Sequence, residues 1–385
     1  MIIRQESVAS NKSLKELPNA SPLLNANLVL VFGSVKRFNE GKLQVFLQAR
    51  YPSAQIIGCT TSGEINQTGV YDDSIQITAI VWEKTVQRVA QTKMVGMQSS
   101  FEAAASLAKQ LKADNLRTVL VISDGLNVNG SELLKGFQSL LGDIPIVGGL
   151  AGDGGAFVKT LQLYNDTVSD NMVIAVGLYG NALITSSGAL GGWKPYGPPR
   201  RVTKSVKNVV YEMDDKPALP LYRMYIGEAF SKGLPGTGLK FPLAVIEDGK
   251  RNVEKIRTLL AVDNINNTLT FAGNVYEGET VRLCQTDHDR LVEGAGNAAN
   301  LVMDGLSENK TNQTGLAILV SCVGRKGVMA NSVGDEVKLV KQILGPQTSI
   351  TGFYSYGEIA PRPNTTDSVL HNQTMTIGYL SENVN

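Results

Sequence analysis

Runs of consecutive apolar residues, separated by stretches with helical spacing, set the frame of this chain. Leu28, Val29, Leu30, Val31 and Phe32 form one such run, which ends at Gly33-Ser34. Leu43, Phe46 and Leu47 follow at helical spacing, and a second run at 54–57 leads into Gly58. Unbroken apolar runs of strand length alternating with a helix predict buried parallel strands in a βαβ unit. The pattern returns with runs at 118–122 and 144–147 around a helix predicted over 131–141. It returns again with runs at 316–320 and 348–351 around a helix over 332–344, striped by Val333, Val337, Val340 and Leu344.

The second run of each copy breaks at glycine. The three breaks are Gly58-Cys59-Thr60-Thr61-Ser62-Gly63-Glu64, Gly148-Gly149-Leu150-Ala151-Gly152-Asp153 and Gly352-Phe353-Tyr354-Ser355-Tyr356-Gly357-Glu358. The first and third share a frame of glycine, four residues, then Gly-Glu. A strand-like run follows each break, at 75–82, 172–178 and 372–380, and Tyr179-Gly180-Asn181-Ala182 reads as a hairpin turn. Further helices are striped by Phe101, Ala104, Ala108 and Leu111, and by Leu291, Ala295, Ala298 and Val302. The fold class expected is mixed α/β with antiparallel additions: two related halves of repeated βαβ-type units with helices packed on sheets. The turn-rich segment 191–199 marks the joint. The division expected is an N-terminal extension over 1–25, one domain over 26–200 and a second over 201–385.

Composition narrows the chemistry. The 385 residues carry 36 Lys and Arg against 35 Asp and Glu, a net charge of +1, which gives no electrostatic reason to expect nucleic acid. No stretch is long and apolar enough for a membrane span, and the N-terminus does not read as a secretory signal, so a cytoplasmic protein without membrane insertion is expected. Cys59, Cys284 and Cys322 stand far apart without metal-type spacing, as reduced thiols would. Only two histidines occur, His288 and His371. There is no H-E-x-x-H, no G-x-S-x-G elbow, no Walker loop and no G-x-G-x-x-G opening a helix. No catalytic residue and no metal site is therefore expected, and the alternative is an enzyme of unfamiliar type that uses Glu64, Glu358 or Cys59.

Glycine at a strand mouth permits close backbone approach. The recurring breaks are read either as sharp turns that recur with the fold or as the lining of a ligand crevice beyond the strand ends. On the second reading Glu64 and Glu358 hold an ammonium group, and Thr60, Thr61, Ser62 and backbone amides hold a carboxylate. Tyr354 and Tyr356 wall such a pocket, which suits a zwitterion such as an amino acid. Gly58, Cys59, Gly63, Gly148, Gly149, Asp153, Trp193, His371 and Asn372 complete the candidate site. On the first reading both glutamates tie down their own turns. His371 is placed in a strand, sharing a face with Gln373, Met375, Ile377 and Tyr379 by alternation, and His288 at a helix start.

The Gly58–Glu64 break, Val147-Gly148-Gly149, and Gly192-Trp193-Lys194-Pro195 followed by Val202-Thr203 resemble the N-terminal FIST domain. The match continues through Asn208-Val209-Val210-Tyr211-Glu212, Lys216-Pro217-Ala218-Leu219 and Leu221-Tyr222. Phe241-Pro242-Leu243, Phe271-Ala272-Gly273, Glu277-Gly278, Tyr356-Gly357-Glu358-Ile359 and His371-Asn372-Gln373-Thr374-Met375 resemble the FIST C-terminal domain. Together they cover about residues 25–382. The resemblance implies a cytoplasmic sensory module that binds a small ligand such as an amino acid and signals to a separate partner such as a histidine kinase. Because Asn385 falls just after it, a stand-alone sensor is expected. Some family members bind haem and sense nitric oxide; here a haem ligand would be His371 or His288, while Leu190-Gly191 stands where a histidine would be expected in such relatives.

Overall fold

A computed structural model describes residues 1–14, 23–246, 253–306 and 313–383, with 253 and 254 described by their backbone. The three copies of the unit build three six-stranded sheets of identical order. In the first sheet, Ile2–Val8 pairs antiparallel with Ile75–Val81, which pairs antiparallel with Leu28–Gly33. Leu28–Gly33 then runs parallel to Gln55–Thr60. The second sheet repeats this with Val86–Lys93, Met172–Tyr179, Leu116–Ser123 and Ile146–Leu150. The third repeats it with Leu183–Leu190, Met375–Glu382, Gly315–Cys322 and Thr348–Ser355. The strand Ile2–Val8 thus lies in the first sheet although it belongs to the expected N-terminal extension.

The last two strands of each sheet come from another unit. The hairpin Glu64–Asn66 and Gly69–Tyr71 of the first unit pairs with Thr348–Ser355 of the third. Gln162–Tyr164 and Thr167–Ser169 of the second pair onto Gln55–Thr60 of the first. Gly357–Pro361 and Ser368–His371 of the third pair onto Ile146–Leu150 of the second. The exchange is cyclic, so no unit completes its sheet alone. Where the sheets meet, Leu30, Ile57, Leu120, Ile174, Ile318 and Phe353 belong to one apolar core, and this shared burial explains the unbroken apolar runs.

The third unit carries a large insertion. Between Leu183–Leu190 and the helix His288–Asp304 lie the strands from Lys194 to Gln285, an eight-stranded sheet with its own core around Val202, Leu219, Tyr222, Phe271 and Val281. The helix His288–Asp304 packs on Leu183–Leu190 with Leu291, Ala295, Ala298 and Val302 buried. Its start is fixed by Asp287, whose carboxylate accepts from the backbone N–H of Arg290.

Three expectations change. The strands do not end at the glycines but run through them, because each glycine lets its strand press against a neighbouring carbonyl. A Cβ on Gly58, Gly148 or Gly352 would lie 1.9 Å from the oxygen of Val31, Val121 or Leu319. The turn at Gly180 does not close a hairpin: Met172–Tyr179 lies in the second sheet and Leu183–Leu190 in the third. The run expected over 372–380 begins at Met375, because Gln373 adopts a left-handed φ of 62° and turns the chain from one sheet to another. His371 therefore shares no strand with Met375.

Gly148→Ala is expected to destabilise the chain by about 3 kcal/mol or more, since the clash is with backbone on the adjacent strand. Gly327, inside the helix Val323–Met329 with nothing within 4 Å of an added Cβ, gives the control. Gly327→Ala should be neutral or stabilise by up to ~1 kcal/mol. Denaturant unfolding of both variants measures the contrast.

Candidate ligand site

The three glycine breaks converge. Ser62 N donates to Tyr354 O at 2.8 Å, Gly152 N to Thr60 O at 2.9 Å, and Tyr356 N to Leu150 O at 3.2 Å. Pairing registers make Ser62, Gly152 and Tyr356 equivalent, so these bonds form a closed ring from first unit to third, third to second and second to first. Gly152 is glycine for a local reason: a Cβ there would lie 2.4 Å from Ser62 Oγ. Around this ring stand Thr60, Thr61, Ser62, Gly63, Glu64, Asp153, Tyr354 and Tyr356. Ser62 Oγ is buried with no hydrogen-bond partner among the described residues. Lys326 donates to Ser62 O at 2.8 Å, pairs with Asp72, and crowds Gly63, whose missing Cβ would meet Nζ at 2.8 Å. Asp153 accepts from the amides of Phe157, Val158 and Lys159 and from the Tyr356 hydroxyl, and Phe157 stacks on Tyr356 at 4.2 Å.

Both candidate glutamates sit at equivalent, fully buried positions and are hydrogen-bonded in the same way. Glu64 accepts from Thr61 Oγ1 and from Ser74 N and Oγ; Glu358 accepts from Ser355 Oγ and from Thr374 N and Oγ1. The second unit places Gln162 at this position, accepting from Met172 N. In all three units the side chain thus fastens the returning strand to the exchanged hairpin. Burial raises both carboxyls to about 7. Cys59 is buried and its thiol is held well above its usual range by desolvation. Thr60 Oγ1 accepts from Leu161 N. Gly149 lies under Val320, 2.6 Å from where a Cβ would stand.

The remaining candidates gather away from the ring, along the seam with the insertion. Trp193 is buried beside Ala244, Ile256, Cys284, Leu291 and Met329, and its indole N–H donates to Gln373 O at 2.9 Å. His371 is cross-strand from Glu358, its Nε2 3.1 Å from Ala360 O, and desolvation lowers it to about 4, so the ring is neutral. Asn372 donates to His371 O. His288 lies on the surface between Asp289 and Asp335, and its hydrogen bond to Asp289 raises it above the usual imidazole range. The two histidines therefore occupy unrelated settings. Among the described residues no cluster of His, Cys, Asp or Glu could hold a metal ion.

Two features escape the sequence patterns. One is the fully buried pair of Arg325 and Glu336. Arg325 donates also to Gly191 O and Leu291 O, the two places where the insertion leaves and rejoins the third unit. Glu336 also accepts from Ser321 Oγ and the Tyr354 hydroxyl. The other is a cleft of about 720 Å³ at the opposite strand ends from the glycine breaks. It opens between Leu183–Leu190 and Met375–Glu382 of the third unit, the starts of Leu116–Ser123 and Ile146–Leu150, and the turn 361–366.

Corresponding clefts exist in the other units, between first strand, last strand and hairpin turn, at about 270 Å³ and 290 Å³. The registers show why the third is larger than the first. Ser187 and Gly378 stand where the first unit has Gln5 and Thr78 and the second has Val89 and Val176. Gln5 fills its own cleft, donating to Thr78 Oγ1 at 3.2 Å and across to Ile350 O at 2.7 Å. Neither histidine lines the large cleft, so haem iron would find no imidazole there.

The architecture is thus that of a mixed α/β protein of cyclically exchanged units with one widened cleft. Residues 27–216 match the FIST N domain and 218–361 the FIST C domain, and the chain belongs to the FIST family, whose domains are sensory, signal-transduction domains. An uncharacterized protein of Methanocaldococcus jannaschii is 25% identical, over 86% of this chain and 70% of the relative. A crystal structure of cyanuric acid hydrolase from A. caulinodans superposes with a TM-score of 0.38 and 7% identity, covering 100% of this chain and 99% of that one. No helix among the described residues is long and apolar enough to cross a membrane.

The buried glutamates dictate a pH dependence. Each carboxyl binds its proton more tightly folded, near 7, than unfolded, near 4.5. The folded state therefore holds more protons between those values, and stability falls as pH rises through that window. Relative to Glu64→Gln/Glu358→Gln, which copies the Gln162 arrangement, the parent should lose stability from pH 4.5 to 7 and run parallel above. Denaturant midpoints across pH would show parallel curves throughout if these carboxyls do not carry the effect. Arg325→Met, which leaves Glu336 buried without its cation, should cost about 3–5 kcal/mol in the same unfolding assay.

Proposed function

We propose that this chain is a small-ligand sensor whose ligand, a small metabolite of about amino-acid size, occupies the 720 Å³ cleft of the third unit. The observation that carries this reading is the opening of that cleft at Ser187 and Gly378, while the first unit's counterpart is filled by Gln5 against Thr78. Its volume lies in the range of small-molecule sites. The glycine-break residues act in this reading as the scaffold, because the carboxylates and backbone groups there are engaged by one another.

The signal is a population shift. Ligand that fits one arrangement of the turn 361–366 against Leu183–Leu190 favours that arrangement, and a separate signalling protein such as a histidine kinase reads it. The turn belongs to the exchanged hairpin, which continues to Leu370, where Arg257 of the insertion donates to the carbonyl at 3.1 Å. A change at the cleft is therefore one hairpin away from the inserted sheet.

Thermal unfolding against a panel of amino acids and short organic acids tests the site. A ligand at ~100 times its dissociation constant contributes about 2.7 kcal/mol and should raise the midpoint by a few degrees. Ser187→Gln, which installs the first unit's side chain, should abolish that shift without lowering the ligand-free midpoint. A shift that survives Ser187→Gln would place the ligand elsewhere and sink this assignment.

A further inference from the structure

We infer that the cleft recognises an anionic ligand, held by Arg117 and Arg362, in preference to a zwitterion; this rests on the cleft being the ligand site. Arg117 lies in the first residues of the strand Leu116–Ser123 and Arg362 in the turn 361–366, so the cations stand on different elements, both on the cleft's lining. No Asp or Glu lines the cleft among the described residues. An ammonium group would find two guanidinium groups on the lining, with Asp367, which is off it, engaged by Arg362, whereas a carboxylate or phosphate would find charge-assisted donors.

The two arginines differ in how they are held. Arg117 is exposed and has no hydrogen bond or ion pair to a described residue. Arg362 is positioned from the side of its own turn, with Asp367 Oδ2 3.1 Å from Nε, and Asp367 in turn accepts from Gln138 Nε2. One cation is thus fixed while the other is exposed. Such a pair favours a ligand that recruits Arg117 to a site whose other cation is already set.

The rest of the lining suits the polar stem of a small acid. Thr185 and Ser187 alternate onto one face of Leu183–Leu190, whereas Ser186 points the other way and donates to Val302 O. The counterpart clefts show the contrast. That of the first unit includes Glu6, which is paired to Arg50, and that of the second carries a single cation, Lys93. Two arginines and no acid occur together in the widened cleft alone among the three.

Calorimetric titration of the full chain at low salt, with succinate, inorganic phosphate, succinamide and L-alanine as probes, tests the inference. Saturable binding of succinate or phosphate is expected, weakened about ten- to hundred-fold by Arg117→Gln and lost in Ser187→Gln. Arg117 is exposed, so its variant should unfold at the parent midpoint, and Arg362→Gln gives a second loss from the other element. The two anions separate a carboxylate from a phosphate as the preferred group. Binding of succinamide or alanine that is indifferent to Arg117→Gln but lost in Ser187→Gln would overturn the anion while leaving the cleft as ligand site. Anion binding indifferent to Ser187→Gln would overturn both, and failure of both anions to bind saturably would overturn the inference.

Discussion

The ring of three backbone hydrogen bonds, Ser62 to Tyr354, Tyr356 to Leu150 and Gly152 to Thr60, is the constraint on which the structure depends. It exists only because each unit sends its hairpin onto another unit's sheet, in one cyclic direction. Buried backbone donors must be paired, so the strand beyond each glycine break, paired on one side with its own hairpin mate, finds its other partner in another unit. Equivalent glycines at 58, 148 and 352 allow the parallel strands to close around this ring, and Glu64, Gln162 and Glu358 fasten the returning strands beside it.

The insertion is held by different means. A sheet running from Lys194 to Gln285 interrupts the third unit, and its two ends are drawn together by Arg325 through Gly191 O and Leu291 O. A buried guanidinium is stable only with its charge answered and its donors used, and Glu336 supplies that charge. Trp193 covers the same seam from the insertion's side. The seam lies on the third unit, the one that also carries the widened cleft, and the exchanged hairpin of that unit touches both.

The three repeats were legible in the sequence because strands buried on both faces read as apolar runs, and helix spans such as 131–141 followed from spacing. The hairpin exchange was not legible, since a three-residue strand such as Glu64–Asn66 carries no mark of which sheet it joins. Alternation continued through Gln373 misplaces His371, because the left-handed backbone there ends one strand before another begins. The glutamates at 64 and 358 were found by their shared frame, but their partners Ser74 and Thr374 lie at distances in sequence that only the fold shortens. The cleft stayed hidden for a subtler reason. Ser187 and Gly378 are unremarkable residues until the registers set them against Gln5, Thr78, Val89 and Val176.

A sensor built this way can relay a local change because its three sheets share one core and one ring, so the units cannot rearrange independently. That claim is tested most directly by unfolding followed at two separate places. Trp82 lies beside the first sheet and Trp193 at the seam of the third unit, and they are the chain's two tryptophans. Single-tryptophan variants, Trp193→Phe and Trp82→Phe, unfolded in denaturant and followed by fluorescence and circular dichroism, report on each place in turn. The account predicts that, within each variant, fluorescence and circular dichroism give one coincident transition. A first-sheet transition that separates from the global one would contradict it.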